Sequence, residues 1–128
     1  MSNSSFAQRL AVTGSMPRMR VQNQAPIRIG FLTPLSGPEA DWGRPGLEGC
    51  RIWADWLNGR GGLMVAGRRH RIEIVAHDSA RDPQATLDAA RDMLDHQQVR
   101  LFLTLGGDSF APALPFLMQR RALVATLL

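Results

Sequence analysis

Hydrophobic residues between 27 and 128 fall into short β-branched runs, and stretches with helical spacing separate these runs. The runs begin near Ile27, Arg71, Val99 and Ala122, and each is typical of a buried strand. Between them, apolar residues three and four positions apart predict helices. The order βαβαβαβ with short connections predicts an α/β fold, in which a parallel sheet carries helices on both faces.

The first helix is predicted to begin at Pro45, because proline is favoured at the first helical position, and to stop at Asn58–Gly59. The preceding residues 33–43 are rich in turn formers and predict a loop. The helical spacing predicts one buried stripe, which consists of Leu47, Cys50, Trp53, Ala54 and Leu57. Cys50 is therefore expected to be a small core residue.

Caps and prolines define the later elements. Asp82 is expected to cap the second helix, with Pro83 at its first position. A shorter helix is predicted from about Ser109 to Arg121, and Pro115 is expected to shorten or bend it. Before the second strand, the glycines at positions 61, 62 and 67 predict a loop.

The chain divides into a leader and one folded unit. Residues 1–25 are rich in Ser, Asn and Gln without a hydrophobic period, so a disordered leader is expected there. The apolar residues near Phe6 are interrupted by Gln8 and Arg9, which is not the pattern of a secretory signal. Residues 26–128 are predicted to form one α/β unit that ends within its fourth strand.

Charge and cysteine content exclude several classes of function. All 15 basic residues are Arg, and most of the net charge of +4 lies on the leader, so no nucleic-acid partner is expected. The one basic cluster, at residues 68–71, is interpreted as a solvated edge. Cys50 is the single cysteine, which excludes an internal disulfide and a cysteine-based zinc site. No apolar run is long enough for membrane insertion.

Candidate binding chemistry lies in the loops after the strands, where ligands bind in parallel α/β sheets. Trp42 followed by glycine offers a flat apolar wall to a ligand, or packs on the start of the first helix. Gly107, Asp108 and Ser109 favour an anion through backbone N–H groups at a helix start, or form an ordinary capped turn. Neither a dinucleotide fingerprint nor a Walker pattern is present, and no cofactor is predicted.

A third loop, residues 77–82, contains His77 and Asp78 close to Arg81 and Asp82. An acid–base pair or a metal site there is the weaker alternative, because the histidines show no ligand spacing and no nucleophile–base arrangement is evident. A structural turn capped by Asp82 is favoured, with no metal and no catalytic residue.

Three stretches together resemble a known family: IRIGFLTPLSGPEADWG, WLNGRGGL, and RIEIVAHDSARDPQAT. Their order and spacing are similar to those of the leucine/isoleucine/valine-binding family, the type I solute receptors of ABC importers. The resemblance runs from Ile27 to the end of the chain. It implies two α/β lobes that close on a ligand without covalent chemistry, and this chain resembles a partial, truncated N-terminal lobe.

By the same resemblance, Trp42 falls where the family places an aromatic residue against the ligand side chain. Ser109 falls near the serine that binds an α-carboxylate together with backbone N–H groups. Gly107, Asp108 and Ser109 are therefore predicted to contact the ligand with Trp42. If it pointed inward, Asp108 would repel an α-carboxylate, and it would suit an ammonium, an amide or a capping role. The expected ligand is an amino acid, an amide or a urea-like molecule.

Three functions remain open at this stage. The first is the periplasmic solute-binding component of an ABC importer, with a permease as its partner. The second is a cytoplasmic amide or amino-acid sensor of the same fold, which the absence of a signal pattern favours. The third and weakest is a small α/β enzyme that would act at loops 77–82 and 105–109.

Overall fold

The computed structural model describes residues 24–105 and 107–127, so most of the predicted leader, residues 1–23, lies outside the described residues. The elements follow in this order: β1 Ile27–Thr33, α1 Ala40–Gly59, β2 Leu63–Val65, β3 Arg68–His70, β4 Ile72–Asp78, α2 Pro83–Asp95, β5 Leu101–Leu105, α3 Gly107–Phe110, a 3-10 turn Ala111–Ala113, α4 Leu114–Gln119 and β6 Leu123–Leu127. The predicted alternation of strands and helices is thus confirmed.

Four parallel strands form the main sheet, in the order β4-β1-β5-β6. Ile27 of β1 lies opposite Ile72 of β4, and Ile29 lies opposite Leu101 of β5. The chain thus leaves β1 in one direction to form β4, and then crosses to the other side of β1 to form β5. This reversal of strand order lies between β1 and β5.

Helices cover the sheet on both faces, as predicted. On one face α1 packs through Ala54 against Ile29 and Ile72. On the other face α2 and the C-terminal helices enclose the larger core cluster, made of Leu32, Ala90, Met93, Leu94, Val99, Phe102, Phe110, Ala113 and Leu117. Gly30 leaves room for this cluster, because a Cβ there would lie 2.8 Å from Cγ1 of the buried Val99.

The prediction that the first helix begins at Pro45 is wrong, because α1 begins at Ala40 and contains Pro45 in its interior. The backbone N–H groups of Ala40 and Trp42 donate to the carbonyl oxygens of Gly37 and Glu39, which starts the helix before the proline is reached. Proline removes one helical hydrogen bond but is tolerated near a helix start. Trp42 therefore lies in a helix and not in the predicted loop.

The predicted stripe of α1 is only partly correct. Leu47 and Ala54 are buried, and Cys50 is partly buried, which raises the pKa of its thiol. Trp53, however, is 42% exposed and does not belong to the core. Asn58 anchors the end of the helix, since its side chain accepts from the N–H of Ile72 at 2.8 Å and donates to the Ile72 carbonyl at 2.9 Å.

Two other local predictions need correction. The glycine-rich loop before β4 forms an antiparallel hairpin of β2 and β3, on which Arg68 and Arg69 are exposed. The predicted helix from Ser109 to Arg121 is divided into α3, a 3-10 turn and α4, because Pro112 and Pro115 interrupt its hydrogen bonding. By contrast, Asp82 caps α2 as predicted and accepts from the Gln84 N–H at 2.9 Å.

Candidate functional site

The candidate site lies at the carboxyl edge of the sheet, where the strand order reverses between β1 and β5. In open parallel sheets, ligands bind in the crevice outside the strand ends at such a reversal. Three neighbouring strands, β4, β1 and β5, bring buried hydroxyl groups to this edge, on Ser79, Thr33 and Thr104. Among the described residues, none of these three hydroxyls has a hydrogen-bond partner. Buried polar groups of this kind are uncommon in folded proteins, and they give this edge a polar character.

Trp42 stands at this edge in the first turn of α1, and 80% of its surface is exposed. The interpretation that Trp42 packs on the helix start is therefore wrong. The turn itself is fixed by the close approach of Gly43 to the loop after β1, since a Cβ on Gly43 would lie 1.8 Å from the Pro34 carbonyl oxygen. The indole is thus presented to solvent from a helix turn that packs closely against the loop after β1.

The loop after β5 leads directly into α3, which contains Gly107, Asp108 and Ser109. Asp108 is exposed, while the side chain of Ser109 lies outside the described part of the chain. Phe110 is buried and anchors this single turn, with its ring 6.5 Å from the ring of Phe102. The structure thus places the predicted ligand-contacting residues on two neighbouring strand ends.

Asp78 joins the loop after β4 to the loop after β1. Its Oδ1 accepts from the N–H of Leu35 at 2.8 Å and from the N–H of Ala80 at 2.8 Å. Burial opposes ionisation of the carboxyl group, but hydrogen bonds from Leu35, Ser36 and Ala80 outweigh it, so the pKa of Asp78 lies below its ordinary value. Asp78 serves as a structural link, which agrees with the predicted turn.

Arg81 is the residue at this edge to which the sequence assigned no role. Its Nη1 lies 2.9 Å from Oε1 of Glu39, so the loop after β4 is joined a second time to the segment before α1. Arg81 also lines a small cavity of about 100 Å³ together with Pro83, Asp108 and Pro112. A guanidinium and a carboxylate therefore border one cavity between the loops after β4 and β5.

The polar partners of His77 lie outside the candidate site. Its Nε2 lies 3.0 Å from the side-chain nitrogen of Gln97 and 3.8 Å from Asp92 Oδ2, on α2 and the turn that follows it. The described part of the chain contains no group of three or more His, Cys, Asp or Glu side chains placed to hold a metal ion. No helix in residues 24–105 and 107–127 combines the length and the apolar character that crossing a membrane requires.

Comparison with known proteins decides the family. The model of a periplasmic binding protein family matches residues 26–127. The chain belongs to this periplasmic binding protein family. No curated protein sequence matches the chain. The family consists of substrate-binding proteins, so the resemblance inferred from the sequence and the prediction of a chain without catalytic activity are both confirmed.

Solved structures of this family share the fold. The substrate-binding protein LivJ of Streptococcus pneumoniae, in complex with isoleucine, is 21% identical with a TM-score of 0.65, over 79% of this chain and 28% of that one. A substrate-binding periplasmic protein from Ralstonia solanacearum is 32% identical with a TM-score of 0.64, over 77% and 28%. A solute-binding protein from Rhodopseudomonas palustris, in complex with 3,4-dihydroxybenzoic acid, is 21% identical with a TM-score of 0.61, over 80% and 27%. This periplasmic binding protein chain therefore spans less than a third of the length of these structures.

Proposed function

We propose that this chain supplies one wall of a ligand cleft in the solute-binding component of an ABC importer. The ligand is an amino acid, an amide or a urea-like molecule, held in the periplasm and passed to a permease. The observation that carries the proposal is the exposed Trp42, in the first turn of the helix that follows β1 at the strand reversal. An aromatic ring with so much free surface at a binding edge suits the apolar part of a small ligand.

The named relatives support a small organic ligand. LivJ binds isoleucine, and the Rhodopseudomonas palustris protein binds 3,4-dihydroxybenzoic acid. Each of these molecules joins an apolar body to a carboxylate. In the proposed site Trp42 contacts the apolar body, while Gly107, Asp108 and Ser109 contact the polar end.

The proposed cleft needs a second wall. The carboxyl edge described here is open, and the related structures are more than three times as long as the matched region. In a two-lobe receptor, closure of both lobes around the ligand provides much of the affinity. We therefore propose that residues 26–128 form part of an N-terminal lobe, and we expect this chain to bind ligand weakly.

A thermal-shift series tests the proposal, because a ligand that binds only the folded state raises the melting temperature. The probes are isoleucine, isoleucinamide, urea and 3,4-dihydroxybenzoate, each at millimolar concentration to detect weak binding. At least one probe is expected to raise the melting temperature. The Trp42→Ala variant is expected to bind that probe about tenfold more weakly, which corresponds to the loss of about 1.4 kcal/mol.

The matched control is Trp56→Ala. Trp56 lies on the same helix, is 55% exposed and stacks with Arg60, whose Cζ lies 4.3 Å from the ring centroid. It is placed near the other end of α1, away from the carboxyl edge, so this substitution is expected to leave binding unchanged. Equal losses in both variants, or no response of the unmodified chain to any probe, would contradict the proposed function.

A further inference from the structure

The second half of α1 carries large apolar side chains on its outer face. Ile52 and Trp56 lie one turn apart on the side of the helix opposite the buried Ala54, and 62% and 55% of their surfaces are exposed. Trp53 beside them is also exposed. Arg60 directly follows the helix and stacks on the Trp56 ring. Exposed apolar residues that cluster in this way mark a surface for association, whereas single ones need no explanation.

The hairpin of β2 and β3 follows α1 and has the same mixed character. The strand Leu63–Val65 is exposed, and so are Arg68 and Arg69 of the second strand. Apolar and basic residues are paired across the hairpin, as Met64 lies opposite Arg69. Arg69 also reaches back to the end of α1, because its Nη1 would lie 3.4 Å from a Cβ on Gly61. The end of the helix and the hairpin therefore form one continuous surface.

We call these residues the Arg–Trp surface: Ile52, Trp56, Arg60, Leu63–Val65, Arg68 and Arg69. The surface lies at the amino edge of the sheet, since the side chain of Asn58 bonds the first residue of β4. The candidate ligand site lies at the opposite, carboxyl edge. The two surfaces are therefore at different ends of the strands.

Positive charge is concentrated in this part of the chain. Residues 49–71 contain five Arg and one acidic residue, Asp55, which gives a net charge of +4. Residues 24–127 contain 12 Arg and 11 acidic residues, a net charge of +1, so the rest of this range carries −3. A second copy bound to the same surface would bring like charges together, which disfavours self-association. The complementary partner is an anionic surface.

An anionic lipid bilayer offers both kinds of contact that this surface requires. Lipid phosphates lie directly above acyl chains, so guanidinium groups contact the phosphates while apolar side chains enter the layer beneath. The arginine stem lies along apolar groups while its charge stays at the head groups. Tryptophan is enriched at this level of membranes because its ring is amphipathic. The stacked pair of Trp56 and Arg60 combines these two side chains.

We propose that the Arg–Trp surface binds the head-group region of an anionic lipid bilayer without crossing it. Arg60, Arg68 and Arg69 contact lipid phosphates, and Trp56 and the apolar residues of β2 enter the interface. The bound chain keeps its carboxyl edge, with Trp42, away from the lipid. This inference goes beyond the proposed function and does not depend on it, because ligand binding uses the other edge of the sheet.

The first test is sedimentation of the full chain with vesicles. Vesicles of phosphatidylcholine and phosphatidylglycerol in equal parts are expected to bind the chain at least about tenfold more tightly than vesicles of phosphatidylcholine alone. Raising the salt concentration from about 0.1 M to about 1 M shortens the Debye length from about 10 Å to about 3 Å and is expected to weaken this binding. Equal binding to both vesicles, or no binding to the anionic ones, would overturn the inference.

Variants locate the contact on the chain. Arg68→Gln combined with Arg69→Gln is expected to weaken binding to anionic vesicles at least about tenfold, and Trp56→Ala about fivefold. The matched control combines Arg44→Gln with Arg91→Gln, since both arginines are exposed and lie outside the Arg–Trp surface. This control removes the same charge and is expected to stay within about threefold. Equal losses in the two double variants would show that overall charge or the leader causes the binding, and the inference would be wrong.

Tryptophan fluorescence separates a lipid partner from an acidic protein. Vesicles that contain brominated phosphatidylglycerol are expected to quench the unmodified chain and Trp42→Phe alike, and to quench Trp56→Phe clearly less. Soluble polyglutamate is the comparison, because it offers carboxylates without an apolar layer. Polyglutamate that binds as tightly as the vesicles, without quenching by brominated lipid, would assign the surface to an acidic protein and overturn the inference. A dimer in solution that Trp56→Ala dissociates would overturn it as well.

Discussion

Replacing Gly43 with alanine is expected to lower the free energy of unfolding by about 3 kcal/mol, the upper range for forcing a group into a packed site. The added Cβ would lie 1.8 Å from the Pro34 carbonyl oxygen and 3.1 Å from Cγ2 of Thr33. The first of these atoms belongs to the backbone, so no side-chain rotation relieves the clash. Either the first turn of α1 or the loop after β1 has to move, and Trp42 moves with it.

Gly49→Ala is the matched control, since the same substitution is made on the same helix. Nothing lies within 4 Å of a Cβ at Gly49, and alanine is the better helix former. This variant is expected to raise the free energy of unfolding by up to about 1 kcal/mol. Urea denaturation followed by circular dichroism measures both variants. Changes of the same sign in the two would show that the contact with Pro34 does not fix α1.

Asp78→Ala is expected to lower the free energy of unfolding by about 2 kcal/mol, because two backbone N–H groups lose a charged acceptor. These belong to Leu35, in the loop after β1, and to Ala80, in the loop after β4, so one of the links between the two loops is lost. Asp78→Asn keeps an oxygen acceptor without the charge and is expected to cost less than half as much. Asp55→Ala, an exposed carboxylate on α1, is the control and is expected to change stability by less than about 0.5 kcal/mol.

The contribution of Asp78 also predicts an acid dependence. Its pKa is lower in the folded chain than in the unfolded one, so its stabilising effect is fully present above the unfolded value of about 3.9. The effect is lost as the pH falls through the lower folded pKa. The difference in stability between the unmodified chain and Asp78→Asn is therefore expected to be constant near pH 6 and to shrink below about pH 4. A difference that persists unchanged at pH 2 would contradict this role of the carboxylate.

Much of the fold could be predicted from the sequence because its signals are local. The run at Ile27 pairs with β4 and β5 in the centre of the sheet, where an uninterrupted apolar strand is stable. Asp82 and Pro83 mark the start of α2 through local interactions, because a capping carboxylate and a proline at the first helical position both favour a helix start. The parallel order follows from the alternation of elements, since parallel strands need crossover connections.

Elements that depend on tertiary contacts could not be predicted in this way. The first turn of α1 packs Gly43 closely against the Pro34 carbonyl, a contact that the sequence does not reveal, and Pro45 is a misleading signal beside it. Trp53 has the correct spacing for the buried stripe, yet 42% of its surface is exposed, which spacing along the helix alone does not reveal. Pro112 and Pro115 lie in the first positions of the 3-10 turn and of α4, so each proline's missing N–H falls where one helical segment ends and the next begins.

The sequence predicted only part of the candidate site, because some of its residues are placed by local signals and others by tertiary contacts. Trp42 and the loop after β5 follow strands, so the sequence alone assigns them to the carboxyl edge of the sheet. The position of Arg81 depends on left-handed backbone angles at an Ala-Arg pair, which have no signature in composition or spacing. Glu39 and Asp108 come near Arg81 from two other segments of the chain, which the sequence does not show.

A crystal structure of this chain with bound isoleucine tests the central claim most directly. The account predicts that the amino acid lies at the carboxyl edge between the ends of β1 and β5. Its side chain should contact Trp42, and its charged groups should lie within hydrogen-bond distance of the turn at residues 107–109. Isoleucine bound elsewhere, such as on the outer face of α1 at Trp56 or at the amino ends of the strands, would contradict the account.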